Sequence, residues 1–330
     1  MLNTADSFGH ISGIFKLLNW TQQADNAFFR EHGAASIESF DVLANKSSEL
    51  SHWTHDTIPV TCHSHNDHGH RILLQSAISS GCISIEMTLF PAGNELLIGP
   101  NPDMLSRAIN LRTLYVDPLL RMLRENNQKL ENLPPGPFPH DNGLSGVFPD
   151  DPTQTLVLLM DFGDDPERVW SLLIPHIEPL REAGFLTQFN RSVTIQGPIT
   201  IVATGNVPFH RILERSTSRD VFFDAPLLQL LPSYDQKILQ NSDYSARNSY
   251  YAFADFHAAI GTVGCNGFSD KQLADLRQQV QIAHGLGLKV RYGGTPHWPR
   301  KLRNYVRCIL AREGVDIITV DELSHRPQGN

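Results

Sequence analysis

Residues 155–166 read TLVLLMDFGDDP. Leu156 through Met160 are apolar without alternation, the pattern of a strand covered on both faces. Asp161 ends the run, and Pro166 stands where a helix opens, because its fixed φ suits the first helical turn. Strand, short polar loop and helix form the unit of a parallel sheet with helical crossovers. Working outward, ITIV at 199–202 again lacks polar alternation. The same reading gives strand candidates at 59–63, 82–87, 95–99, 155–162, 199–204, 220–224, 256–261, 288–292 and 315–320. Helical patterns run over 116–126, 166–183, 270–285 and 299–313. Ser269-Asp270 caps the third, and Gly184, Gly285 and Gly314 stand where helices end in glycine. Nine strands fit a closed TIM-type (β/α)8 barrel, fold class α/β, with one spare hairpin strand.

Domain organisation follows. Residues 1–50 read as a helical N-terminal extension, and 51–330 as a single barrel domain. The Pro- and Gly-rich stretch 132–152 reads as a long surface loop rather than a linker. Of 330 residues, 41% are hydrophobic and 19% charged, which excludes disorder for most of the chain. Lys plus Arg total 27 against 35 Asp plus Glu, a net charge of −8 with no basic run, so nucleic acid is not an expected partner. Cys62, Cys82, Cys265 and Cys308 are widely spaced without a C-x-x-C pair, which suggests reduced thiols in a cytoplasmic protein. The first thirty residues hold no apolar stretch long enough for a signal peptide or membrane span, so stable membrane insertion is not expected.

In a β/α barrel, ligands bind at the carboxyl ends of the strands. The first strand candidate closes in CHSHNDHGH, 62–70, with histidines at 63, 65, 68 and 70. Strand periodicity puts His63 and His65 on one side while the segment stays extended. Either can take and return a proton near neutrality, so both are catalytic candidates. Other strands close in Glu86, Asp161 and Asp224. Acids at strand ends are hard oxygen donors suited to Mg2+, and an alternative is that each caps a helix or pairs with an arginine. Substrate-binding candidates are Asn66, Asp67, His68, Asn206, Asp224, Arg291, Tyr292 and His297. No P-loop, G-x-G-x-x-G, H-E-x-x-H or G-x-S-x-G is present, which removes the usual sequence support for nucleotide binding and serine hydrolysis.

The stretch THDTIPVTCHSHNDHGHRILLQSAISSGCISIEMTLFPAGNELLIGP, 54–100, resembles a fungal family named for altered inheritance of mitochondria protein six, in the phospholipase C-like phosphodiesterase superfamily. The likeness continues through LYVDPLLRML, VATGN, VFFDAPL, TPHWP and REGVDIITVDEL, covering roughly residues 50–323. It implies a TIM-type barrel whose active members cleave phosphodiesters with a histidine pair and an acid-bound divalent cation. By resemblance, His63 or His65 matches the first catalytic histidine, and Glu86 and Asp161 match two metal ligands. Thr88 stands where the family has the second acid of its E-x-D pattern, and Pro100 where a histidine usually follows. Gly163, His68 and Gly293-Gly294 replace a lysine, a tyrosine and a Trp-Asp pair.

These departures point to a degenerate metal site, doubtful at Glu86 and Asp161 because of Thr88. The glycines suggest room for a larger, less charged ligand. The function expected first is therefore histidine-based acid–base chemistry of lyase, cyclase or isomerase type, on an organic small molecule of specialised metabolism. A Mg2+-dependent phosphodiesterase or phospholipase-type lyase is the alternative, and a noncatalytic binding protein the third reading. No organic cofactor is expected, and Mg2+ is left open.

Overall fold

The computed structural model describes residues 57–64, 73–131, 143–214, 218–231, 243–264 and 266–320. The N-terminal extension, the segment 65–72 with His65, Asn66, Asp67, His68 and His70, and residues 132–142 of the long loop lie outside the described residues.

Eight parallel strands close into a barrel: β1 (Val60–Ser64), β2 (Cys82–Ala92), β4 (Leu156–Phe162), β7 (Ile199–Gly205), β9 (Val221–Pro226), β10 (Ser249–Asp255), β11 (Lys289–Gly293) and β12 (Ile317–Val320). Pairing of β1 with both β12 and β2 completes the ring. The spare strand is β3 (Glu95–Ile98), which returns antiparallel on the long β2. Leu156, Leu158, Leu159 and Met160 are fully buried, as an uninterrupted apolar run requires when one face meets the barrel interior and the other the helices.

Helix α1 (Leu73–Ser79) joins β1 to β2, and α2 (Asp117–Glu131) precedes β4. Helix α3 (Pro166–Glu182) begins at the proline read from the sequence, with Asp165 capping the Arg168 amide. Next come α4 (Phe209–Glu214), α5 (Phe256–Ala259), α6 (Asp270–Gly285) and α7 (Arg300–Arg312). In α6, Ser269 and Gln272 form a reciprocal capping box, satisfying two otherwise orphaned amides. Gly184 and Gly314 take positive φ just past α3 and α7 as expected, but after α6 that role falls to Gly287, because the helix extends through Gly285.

Two strand expectations change. The segment 256–261 opens with helix α5, whose first turn is capped by Asp255 accepting from the Ala258 amide. The sixth barrel strand is Ser249–Asp255 instead. A small antiparallel sheet of β5 (Gln188–Asn190), β6 (Val193–Ile195) and β8 (Ser218–Arg219) was not anticipated. Among the described residues, no helix is long and apolar enough to cross a membrane.

Candidate active site

Strand alternation sends Ser84, Glu86 and Thr88 of β2 to the barrel interior, where β1 delivers His63. The His63 ring is fully buried, with Nδ1 2.8 Å from Ser84 Oγ and Nε2 2.7 Å from Glu86 Oε2. An ionised Glu86 only accepts, so Nε2 carries the proton it shares; in a neutral ring Nδ1 then accepts from the Ser84 hydroxyl. Both ring nitrogens are engaged. Glu86, with 12% of its side chain exposed, is the member of the pair that reaches outward.

Arg291 of β11 crosses the same interior. Its Nη2 lies 2.6 Å from Asp224 Oδ2 and its Nη1 3.8 Å from Glu86 Oε2. The Asp224 side chain is 1% exposed and that of Arg291 4%, so this is a buried ion pair. Thr204 Oγ1 also donates to Asp224 Oδ2 at 2.9 Å. Burial opposes the Arg291 charge, but the Asp224 and Glu86 carboxylates outweigh it and hold its pKa above the ordinary value. Phe253 and Tyr251 present ring faces to the guanidinium, 4.2 and 5.8 Å from their centroids. Burial foremost raises the Tyr251 pKa well above that of a free phenol. Its hydroxyl has no close hydrogen-bond partner, with Ser84 the nearby polar side chain opposing the shift.

One layer higher, Thr88 pairs with Asp161 and Asp161 with Thr204 across adjacent strands. The Thr88 hydroxyl donates to Asp161 Oδ2 at a long 3.5 Å. The Asp161 carboxylate lies over Gly205, whose positive φ and missing Cβ leave the space it occupies. Glu86 and Asp161 are thus offset by two residues on neighbouring strands, a Cα separation of ~8 Å from strand geometry.

The structure places several sequence candidates apart from the His63–Glu86 pair. Tyr292 points outward, donating from its hydroxyl to Gln279 of α6 at 2.7 Å, because alternation along β11 turns it away from the side that carries Arg291. Asp224 and Arg291 face inward but are buried against each other, so they support the site from behind. Asn206 and His297 are exposed on loops after β7 and β11. The glycines do not vacate a pocket: a Cβ at Gly163 would meet Phe90, one at Gly293 would meet Phe253, and one at Gly294 would meet the Asp255 carboxylate. Cys62 and Cys82 are not free thiols but form a disulfide, with Cα atoms 4.8 Å apart.

Sequence reading missed Ser84, Thr204, Phe253 and Tyr251. Ser84 carried a usable signal, standing two residues before Glu86 on the same strand face. For a divalent cation, the donor set is short among the described residues: no group of three or more His, Cys, Asp or Glu converges. Glu86 is already shared between His63 and Arg291.

The match to known proteins agrees with this frame. Residues 51–224 match the family described as AIM6-like phosphodiesterase domain. The altered inheritance of mitochondria protein 6 homolog of Arthroderma benhamiae is 30% identical over 281 residues, spanning 82% of this chain and 84% of that protein. Altered inheritance of mitochondria protein 6 of Eremothecium gossypii is 30% identical over 276 residues, 79% of this chain and 67% of that one. Its Saccharomyces cerevisiae (strain RM11-1a) namesake is 28% identical over 292 residues, 84% and 72% respectively. No solved structure matches the chain. A closed parallel barrel and this extent of likeness place the chain in the altered inheritance of mitochondria protein 6 family of phosphodiesterase-fold proteins.

Proposed function

We propose that the chain is an acid–base enzyme of lyase, cyclising type acting on a phosphodiester. The observation that carries this reading is the His63–Glu86 pair, whose outward member is a carboxylate at the carboxyl end of the barrel. The phosphodiester comes from the family description. A hydroxyl of the substrate attacks its own phosphorus and gives its proton to Glu86. One P–O bond forms, the P–O bond to the leaving group breaks, and His65 returns a proton to the departing oxygen. The products are a cyclic phosphate and an alcohol, with no water consumed. His63 orients Glu86 and shares its proton, while buried Arg291 sets its positive charge 3.8 Å from the carboxylate. Asn206 and His297, exposed at the same end, supply hydrogen bonds to the substrate.

A second reading keeps the proton transfers but takes an organic molecule without phosphate, as an elimination or isomerisation. Thr88 favours it, since a hydroxyl there leaves one acid fewer to hold a cation against a substrate phosphate. The experiment is 31P NMR of a phosphodiester panel, including glycerophosphodiesters and lysophospholipids, with and without EDTA. A cyclic phosphate formed by wild type and reduced about 10²–10⁴-fold in Glu86→Gln supports the first reading. Turnover of phosphate-free substrates alone transfers support to the second. Absence of any turnover, with ligand binding intact, would make the chain a binding protein and overturn both.

A further inference from the structure

The register between β1 and β2 contains an irregularity directly beneath His63. Val60 pairs with Cys82, yet His63 pairs with Ser84, so β1 advances three residues while β2 advances two. One extra residue sits between these points, the definition of a bulge. Cys62 and His63 are consecutive and both fully buried, as on a strand covered on both faces. Without the bulge, Cys62 would stand opposite Ser84 and His63 opposite Ile85. A one-residue slip turns every side chain to the other face. His63 would leave the side that holds Ser84 and Glu86.

The Cys62–Cys82 bond spans this irregularity, joining the residue next to His63 to the residue at the start of β2. Gly81 secures the same place with its carbonyl, which accepts from the Val60 amide at 2.8 Å. We propose that the disulfide is a positioning element of the site, an oxidative staple that fixes the bulged register and thereby holds His63 against Ser84 and Glu86. The sequence it closes, 20 residues from Cys62 to Cys82, also contains His65, His68 and His70. Formation takes two thiols to one disulfide, releasing two protons and two electrons to a low-molecular-weight disulfide, which becomes two thiols by exchange. Both sulfur-bearing residues are fully buried, so the bond forms before the barrel closes and acts as a maturation step rather than a rapidly reversible switch.

The test uses the full chain, refolded with or without glutathione disulfide. Arg71 lies between the two cysteines, so trypsin places them on separate peptides that stay joined only through the bond. The expected result is a linked Cys62–Cys82 peptide pair in the oxidised protein that resists reductant until denaturant is added. In 15N-histidine spectra, assigned with His63→Gln, the oxidised chain shows His63 with one protonated and one accepting ring nitrogen. The reduced chain and Cys62→Ala/Cys82→Ala lose that signature while retaining wild-type far-UV circular dichroism. Alkylation of both cysteines in the oxidatively refolded chain overturns the proposal, as does an unchanged His63 signature in the reduced chain and in the double variant. Should the double variant fail to fold, the reduced wild-type chain decides between the two. None of these readouts depends on turnover, so failure to find a substrate would leave the outcome intact.

Discussion

Replacing Arg291 with methionine tests whether the barrel interior is organised around one internal cation. Methionine keeps the apolar stem and removes the charge, leaving the 1%-exposed Asp224 carboxylate without its 2.6 Å partner. At an effective dielectric of about 20, that contact represents ~6 kcal/mol of gross Coulomb attraction, and the 3.8 Å approach to Glu86 about 4. Desolvation of the three charges in the folded chain offsets most of this. Removal of one partner from a buried pair costs about 3–5 kcal/mol overall, because the other charge stays buried. Thr204 still donates to Asp224 in the variant, which favours the lower part of that range. Asp224→Asn in the Arg291→Met background removes the orphaned charge and should recover about 1–3 kcal/mol, a coupling size typical of touching groups. Urea denaturation of wild type, both single variants and the double variant, followed by fluorescence and circular dichroism, supplies the cycle. A loss below ~1 kcal/mol for Arg291→Met, or strict additivity in the double variant, would refute the reasoning.

Three further outcomes follow from the geometry. Gly205→Ala combines a side chain at positive φ with a Cβ directed into the Asp161 carboxylate, so it should cost roughly 1–3 kcal/mol and lower turnover if Asp161 acts at the mouth; thermal unfolding and the 31P assay read these separately. Tyr292→Phe should lose about 1 kcal/mol with the Gln279 bond and leave KM unchanged, whereas a raised KM would restore Tyr292 to the substrate site. His284 has its pKa raised by the hydrogen bond to Asp316, acting against burial. Its contribution is therefore complete below the unfolded value of 6.5 and lost as pH rises through the folded value, so His284→Gln should destabilise by a few tenths to ~1 kcal/mol at pH 5.5 and by less at pH 9. Equal losses at both pH values would contradict this sign.

What the sequence disclosed, and what it withheld, depends on how local each cause is. Continuous apolar runs such as Leu156–Met160 announce buried parallel strands, and Pro166 and Ser269 announce helix starts, because those effects act within a few residues. The strand Ser249–Asp255 was missed because its aromatic, half-buried pattern is less apolar than the FHAAIG that follows. The cap Asp255–Ala258 marks that following segment as helical, a local signal that was available. Glu86 and His63 were legible as polar closures of apolar strands. Their union with Arg291 was not, since it joins β1, β2 and β11, whose interior alignment depends on the stagger of the whole barrel. The bulge in β1 was equally hidden, since one extra residue leaves no trace in composition.

The internal arginine gives the family departure at Thr88 a physical setting. Hard divalent cations take several oxygens, of which Mg2+ usually draws only one or two from carboxylates. Here Asp224 is held by Arg291 and Thr204, and Glu86 is divided between His63 and Arg291. A guanidinium fixed to the strand, braced by the faces of Phe253 and Tyr251, brings its positive charge without a diffusible ion. It also pays no reorganisation cost when charge changes on Glu86, since its position is set by the fold. The Thr88 hydroxyl supplies a donor to Asp161, one layer above the Glu86 carboxylate that His63 and Arg291 share.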